Sequence, residues 1–355
     1  MQILRIISAG LLAAGLAVPQ DSGEYTIHTT VSVIVAPTVV RDKSGHFVNG
    51  LKTGDFRLVD NDKPQNIDVD VSFVPISLVV AIQANSVAEQ VLPKIKKIGS
   101  LLTGEITGEH GEVAILAFDH RIQTLQDFTS DTAKVETALQ ALKTGSSSSR
   151  MLDAVVAGAR MLNKRPQDRR KVLLVIGETR DSGSAVKVRE VLTDLQFANI
   201  SVYSININRL VNTLMGTTPD PRPNPMPPGA QSLPAGIPNV PSYADQASGG
   251  SLNTTNFVPL FVEIFKEAKG IYVQNPTKTM TRFTAGEEFT FANQRELERA
   301  AAKIGDELHS EYLITYNPNN KTEGGYHTIK VEVVNRPDLE VRTRPGYWVA
   351  AQPGD

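Results

Sequence analysis

Three polar stretches hold most of the candidate chemistry in this chain. They are Gln83-Ala84-Asn85-Ser86-Val87, Gly145-Ser146-Ser147-Ser148-Ser149 and Gly177-Glu178-Thr179-Arg180-Asp181-Ser182-Gly183. The first and third follow apolar runs, and the second precedes a helical stripe. Asp119-His120 sets a carboxylate beside an imidazole, but just before Arg121-Ile122-Gln123, where a hairpin turn is the preferred reading. His110 stands next to Gly111 with no carboxylate or serine partner evident in the sequence. The chain has no cysteine, which removes disulfides, thiolate nucleophiles and thiolate metal sites. It also has no phosphate-binding loop, no Gly-x-Gly-x-x-Gly after a strand, no nucleophile elbow and no His-rich metal motif.

The elements that must position these loops are legible as apolar patterns. Ile76 to Ile82 is a continuous apolar run, as expected of a strand covered on both faces. Similar runs recur at 113–118, 172–176 and 200–205, with a shorter one at 271–273. Helical stripes fill the gaps: Val87, Val91, Ile95, Ile98 and Leu102, with Pro93 tolerable only near a first turn; Leu152, Val155, Val156, Ala159 and Leu162; Val188, Val191, Leu192 and Leu195. Phe257, Leu260, Phe261, Ile264 and Phe265 form another stripe, and Leu297, Ala301, Ile304 and Leu308 the last. Strands alternating with helices predict a doubly wound α/β domain over residues 75–310 with a mostly parallel sheet. In such sheets ligands gather beyond the carboxyl ends of the strands, near the point where strand order reverses.

Both chain ends read as β. Residues 26–72 hold the β-branched run Thr26 to Val35, a turn at Asp42-Lys43-Ser44-Gly45, the segment Phe56 to Asp60, a turn at Asn61-Asp62-Lys63-Pro64 and the alternating Ile67 to Val71. Residues 311–350 hold Glu311 to Tyr316, the alternating Tyr326 to Val333, and Leu339 to Thr343 before Gly346-Tyr347-Trp348. Neither end has enough strands for a sandwich alone, so together they are expected to form one antiparallel β-sandwich into which the α/β domain is inserted. Residues 216–246 form a Pro-rich loop: nine prolines lie between Thr217 and Pro241, a composition that excludes helix and central strand.

With 355 residues, 41% hydrophobic, the chain can bury a sizeable core. Its 36 basic and 38 acidic residues are well mixed, for a net charge of -2, so no field of one sign attracts nucleic acid or an anionic membrane. Residues 1–19 read as a signal peptide: Arg5, an apolar core from Ile6 to Val18 too short to span a bilayer, and small residues at Gly15 and Ala17. An exported protein, periplasmic or secreted, is therefore expected, and no later segment reads as transmembrane.

The order of elements and the three polar loops resemble a von Willebrand factor A domain, and the chain resembles the VWFA-related proteins first described in acidobacteria. Val39-Val40-Arg41-Asp42-Lys43-Ser44-Gly45, Leu51-Lys52-Thr53-Gly54-Asp55-Phe56 and Asp62-Lys63-Pro64-Gln65-Asn66-Ile67 resemble that family's N-terminal signature. Glu307 to Leu313, Tyr316-Asn317-Pro318 and Pro345-Gly346-Tyr347-Trp348 resemble its C-terminal one. The resemblance implies a metal-ion-dependent adhesion site made of Asp-x-Ser-x-Ser after the first strand, a Thr before a later helix and an Asp after the fourth strand. Matched residue by residue, those positions hold Gln83, Asn85, Val87, Ser149 and Glu178, with Asp181 as a less favoured match for the last.

This rim is degenerate. A hard divalent cation needs a set of oxygen ligands in near-ideal array. Gln83 removes a charge, Val87 removes a hydroxyl, Ser149 keeps one, and Glu178 keeps a charge at longer reach. No cofactor is therefore expected; a weak Mg²⁺ or Ca²⁺ site using Asn85, Ser149 and Glu178 is the alternative. Ser149 has a competing reading as the cap of the following helix, Glu178 and Asp181 as solvated loop charges, and Gln83 as a group satisfying local backbone. The function expected is a non-catalytic protein-binding module with an unknown protein partner. Weakly Mg²⁺- or Ca²⁺-dependent binding through the same rim, a structural envelope scaffold and an uncharacterised enzyme are the alternatives.

Overall fold

Alternation of buried and exposed residues builds the two chain ends, and uniform burial builds the middle. The computed structural model describes residues 33–70, 74–208, 275–320 and 325–349. The first stretch contains β1 (Ile34–Arg41), β2 (Phe56–Asp60), β3 (Lys63–Pro64) and β4 (Ile67–Asp70). Gly45, at φ 82°, closes the turn after β1, and Asn61 and Asp62, at φ 46° and 62°, supply the left-handed pair that a tight β2–β3 hairpin needs. The last stretches contain β11 (Tyr312–Tyr316), β12 (Gly325–Val333), β13 (Glu340–Thr343) and β14 (Gly346–Val349).

These strands form two antiparallel sheets, ordered β13-β1-β11-β4 and β14-β12-β2-β3. Each sheet takes strands from both ends of the chain. Ile34 lies opposite Tyr316 and Thr38 opposite Tyr312; Phe56 lies opposite Val333 and Asp60 opposite Ile329. The sheets face each other through aromatic rings: Phe56 meets Tyr312 edge-on at 5.0 Å, and Tyr316 meets Tyr347 at 6.4 Å.

Between the two ends runs a six-stranded sheet ordered β10-β9-β8-β5-β6-β7. Its strands are β5 (Ile76–Gln83), β6 (Glu112–Phe118), β7 (Ile122–Thr129), β8 (Arg170–Gly177), β9 (Ile200–Ile207) and β10 (Glu288–Phe291). All neighbours are parallel except β6 and β7, which form the hairpin expected after Asp119-His120. Every residue of β5 and of β9 is buried, because helices cover both faces. One core gathers Leu78, Val80, Val172, Leu174, Tyr203 and Ile304; the other gathers Val79, Ala81, Leu173, Val155, Leu192 and Val202. Alternate residues of the same strands serve the two cores.

The helices are α1 (Leu92–Ile95), α2 (Gly99–Leu101), α3 (Thr132–Gln140), α4 (Met151–Asn163), α5 (Val188–Phe197), α6 (Pro276–Phe283) and α7 (Gln294–Ser310). The stripe from Val87 to Leu102 is not one helix. Pro93 has no amide hydrogen to continue an upstream turn, so α1 begins at Leu92, and the segment advances by short turns into a π-turn at Leu102–Ile106. Val91, Ile95, Ile98 and Leu102 are still fully buried, whereas Val87 is not. The signal peptide, the stripe from Phe257 to Phe265, the run 271–273 and the Pro-rich loop 216–246 lie outside the described residues.

An ionic cluster ties the sandwich to the sheet. Arg41 of β1 donates to Glu287 at 2.8 Å and to Glu307 of α7 at 2.7 Å. Arg342 of β13 pairs with Glu307 and lies 3.7 Å from Glu287. Tyr203 of β9 donates its hydroxyl to Glu307 at 2.7 Å, and Arg170 of β8 pairs with Glu311.

A second buried network lies within the sandwich. Asp60 accepts from His327 Nδ1 at 2.7 Å, from the Tyr316 and Tyr347 hydroxyls at 2.9 and 2.6 Å, and from Asn320 at 3.1 Å. Burial alone would raise the Asp60 pKa, but these donors outweigh it and hold the carboxyl below its ordinary value of 3.8. A lowered carboxylate pKa contributes stability above the unfolded value, lost as pH falls through the folded one. Asp60→Asn should therefore cost about 3 kcal/mol at neutral pH. In urea titrations the gap between wild type and variant should shrink below pH 4; a gap constant from pH 7 to 3 would contradict this assignment.

Candidate functional site

The sheet reverses its strand order between β5 and β8: the chain runs from β5 outward through β6 and β7, then returns to the other side at β8. Gln83 ends β5, and Glu178 directly follows β8. The two therefore stand side by side at the carboxyl edge, at the place where ligands bind in open α/β sheets.

They hold each other. The Gln83 carbonyl oxygen accepts the Glu178 amide hydrogen at 2.7 Å, and the Gln83 amide nitrogen donates to Glu178 Oε2 at 3.3 Å. Gln83 has no exposed surface and Glu178 is 4% exposed, so this is a buried carboxylate facing a side-chain amide and not a solvated loop charge. Gly177 makes room for the contact. A Cβ there would lie 2.6 Å from Gln83 Oε1 and 2.9 Å from Gln83 Cβ. Asn85 ties its own loop to the serine loop: its carbonyl oxygen accepts from the Ala88 amide at 3.2 Å, and its nitrogen donates to the Ser147 carbonyl at 3.4 Å. Val87 brings no polar atom.

Ser149 does not cap α4. Its amide donates to Ser182 Oγ at 3.1 Å and its carbonyl accepts from the Ser182 amide at 3.0 Å, which fixes it one residue too early. Arg150 occupies the cap position without a side-chain bond. The orphan Leu152 amide is met instead by Asp181, which accepts it at 3.2 Å and also takes the Ser184 hydroxyl at 2.6 Å. Asp181 is thus a helix-capping residue from a distant loop. The Ser149 hydroxyl is buried and has no hydrogen-bond partner among the described residues.

Sequence reasoning assigned Asp119 to a turn, which it makes, but missed its larger role. It accepts the Arg121 amide at 2.7 Å and the Ser146 amide at 3.0 Å, so it pins the serine loop beside the β6–β7 turn. Gly145 packs against it so closely that any Cβ would overlap the carboxylate. Burial raises the Asp119 pKa, and the two backbone donors with His120 more than offset this and lower it overall. His120 approaches both Asp119, at 3.0 Å, and the Ser146 hydroxyl, at 2.9 Å. Both contacts use Nδ1, so the ring does not bridge the two groups through opposite nitrogens as a serine–histidine–aspartate relay requires.

The oxygen set is a poor match for a hard divalent cation. Gln83 Oε1 is committed to a backbone amide, Asn85 Oδ1 to another, and Val87 offers none. Glu178 is the one charged group of the five rim positions, and the Ser149 hydroxyl the one without a partner. Among the described residues no three His, Cys, Asp or Glu side chains converge as a metal ligand set.

Residues 81–179 match the von Willebrand factor type A domain, and this part of the chain is such a domain. No curated protein matches the chain significantly. Among solved structures, it is similar to BatB of Bacteroides thetaiotaomicron, at 13% identity over 64% of this chain and 98% of that one, with a TM-score of 0.36. It is also similar to the vWF domain of the type V pili tip protein Mfa5 of Porphyromonas gingivalis, at 17% identity over 30% of this chain, with a TM-score of 0.26; the match spans 38% of that chain's length. The proximal thread matrix protein 1 of the mussel byssus matches at 10% identity over 71% of this chain and 50% of that one, with a TM-score of 0.41.

If Gly177 exists to admit the Gln83 amide, Gly177→Ala should force that side chain off Glu178. A loss of about 1–3 kcal/mol in thermal or urea unfolding is expected, as for an overpacked core. A variant as stable as wild type would show that the close approach is not needed.

Proposed function

We propose that this chain is an exported, non-catalytic binding protein that engages a protein partner through the rim above β5 and β8 without a bridging cation. The clasp between Gln83 and Glu178 carries this reading. In a metal-dependent rim a cation answers the carboxylate charge; here a side-chain amide from the neighbouring strand already donates to it. What remains for a partner is a fixed loop surface with backbone groups and hydroxyls. Von Willebrand factor type A domains are typically interaction modules, which agrees with the lack of a relay at Asp119, His120 and Ser146.

Two measurements test this. In calorimetry, wild type should show no saturable uptake of Mg²⁺ or Ca²⁺ at millimolar concentration, and Gln83→Asp with Val87→Ser should gain one. In affinity capture, a partner retained by wild type should be retained equally in EDTA and lost when Ser149→Arg blocks the rim. Loss in EDTA alone would favour the second reading, a weak Mg²⁺ or Ca²⁺ site at Asn85, Ser149 and Glu178. One observation speaks for it: the buried Ser149 hydroxyl without a partner.

Export rests on the pattern of residues 1–19. No helix among the described residues is long and apolar enough to cross a membrane. Fractionation of an expressing bacterium should recover the chain outside the cytoplasm with its leader removed; full-length chain confined to the cytoplasm would contradict this.

A further inference from the structure

The opposite edge of the sheet, where β8 and β9 begin, is built differently. A cavity of about 360 Å³ opens there between the sheet, the end of α5 and the sandwich, within the usual range for small-molecule sites. Val35 of β1, Leu313 of β11, Leu195 of α5 and Ile200 of β9 give it apolar walls. Four cations also line it. Arg169 bonds Ser77 and pairs with Glu112 at 3.2 Å, and Arg170 pairs with Glu311. The other two, Lys171 and Arg344, have no carboxylate partner among the described residues.

Lys171 and Arg344 are each only 4% exposed. Arg344 donates to Asn199 at 3.3 Å and lies over the Tyr347 ring at 5.6 Å, both neutral groups, and its Nε has no partner. Asn199 holds a left-handed φ of 50° at the turn from α5 into β9, which sets it beside that guanidinium. The acids on the lining, Asp70 and Asp168, are exposed. Two positive charges are thus buried against one cavity with no buried negative charge among its described lining residues to answer them, an arrangement that is costly unless an anion completes it. Burial pushes the pKa of both side chains down, as expected of cations awaiting a counter-charge.

We propose that this cavity is a binding site for a small organic carboxylate: Lys171 and Arg344 take the carboxylate, and the walls from β1, β11, α5 and β9 take an apolar stem. A site for an inorganic anion would have no use for those walls. The site lies at the amino edge of the sheet and is separate from the rim, so it stands whether or not the rim binds a protein.

Hexanoate is the probe, with hexanol and inorganic phosphate as controls, on the full chain. Saturating hexanoate should raise the melting temperature by several degrees, since a ligand that binds only the folded state stabilises it. Hexanol should raise it much less, and so should phosphate at equal ionic strength. Calorimetry should show binding weakened at least tenfold in Lys171→Met. On wild type, NMR amide shifts caused by hexanoate should centre on Lys171, Asn199 and Ser201, a readout that survives if the variant fails to fold. No effect of hexanoate, an equal effect of hexanol or phosphate, undiminished binding in folded Lys171→Met, or amide shifts confined to another region would each overturn the proposal.

Discussion

The carboxylate of Glu307 is the point on which the arrangement of this molecule turns. It has no exposed side-chain surface and receives Arg41 from one end of the chain, Arg342 from the other and the Tyr203 hydroxyl from the sheet. The net gain from such a cluster is small, because each charge gives up water, but a member left unpaired costs about 3–5 kcal/mol. Any docking that separates the sandwich from α7 strands two arginines and at least one glutamate. The cluster therefore selects one docking more than it adds stability. It also holds the sheet that contains β1 and β11 against the amino edge of the parallel sheet, which shapes the cavity found there.

The two edges of that sheet handle charge in opposite ways. At the carboxyl edge Glu178 is buried and answered from within, by the Gln83 amide. At the amino edge Lys171 and Arg344 are buried and have no carboxylate partner among the described residues. β8 bears on both, since Lys171 is its second residue and Glu178 follows its last. One strand thus connects a self-satisfied acid to an unsatisfied cation through a run of fully buried aliphatic side chains. At the rim the buried acid has an internal donor, whereas at the cavity neither buried cation has a carboxylate partner among the described residues.

Much of this was legible in the sequence, and the parts that were not share a cause. β5, β8 and β9 are buried on both faces and so read as unbroken apolar runs; α4, α5 and α7 are amphipathic over about three to five turns and read as stripes. α3 was missed because its nine residues bury only Val135, Ala138 and Leu139. β10 was missed because an edge strand of the sequence Glu-Phe-Thr-Phe carries little apolar signal. The stripe from Val87 to Leu102 misled because its apolar spacing is real while Pro93 denies it a continuous backbone. The five rim positions were assigned by order along the chain, but the bond between Gln83 and Glu178 was not legible, because it depends on register: they meet only because β5 and β8 are paired with Ile82 beside Ile176.

The same dependence on register explains why Gln83 does more than a lost aspartate would suggest. An aspartate at the end of β5 would place a second negative charge beside Glu178, and two buried carboxylates at that distance require either a proton or a cation between them. Glutamine supplies an oxygen for the Glu178 backbone and a hydrogen-bond donor for its side chain, which no other uncharged residue of that length provides in one group. Gly177 then leaves the room this needs, because a Cβ there would meet Gln83 Oε1 at 2.6 Å and Gln83 Cβ at 2.9 Å. Glutamine at the strand end, glycine beside it and glutamate after it thus form one device, and they are intelligible only as a set.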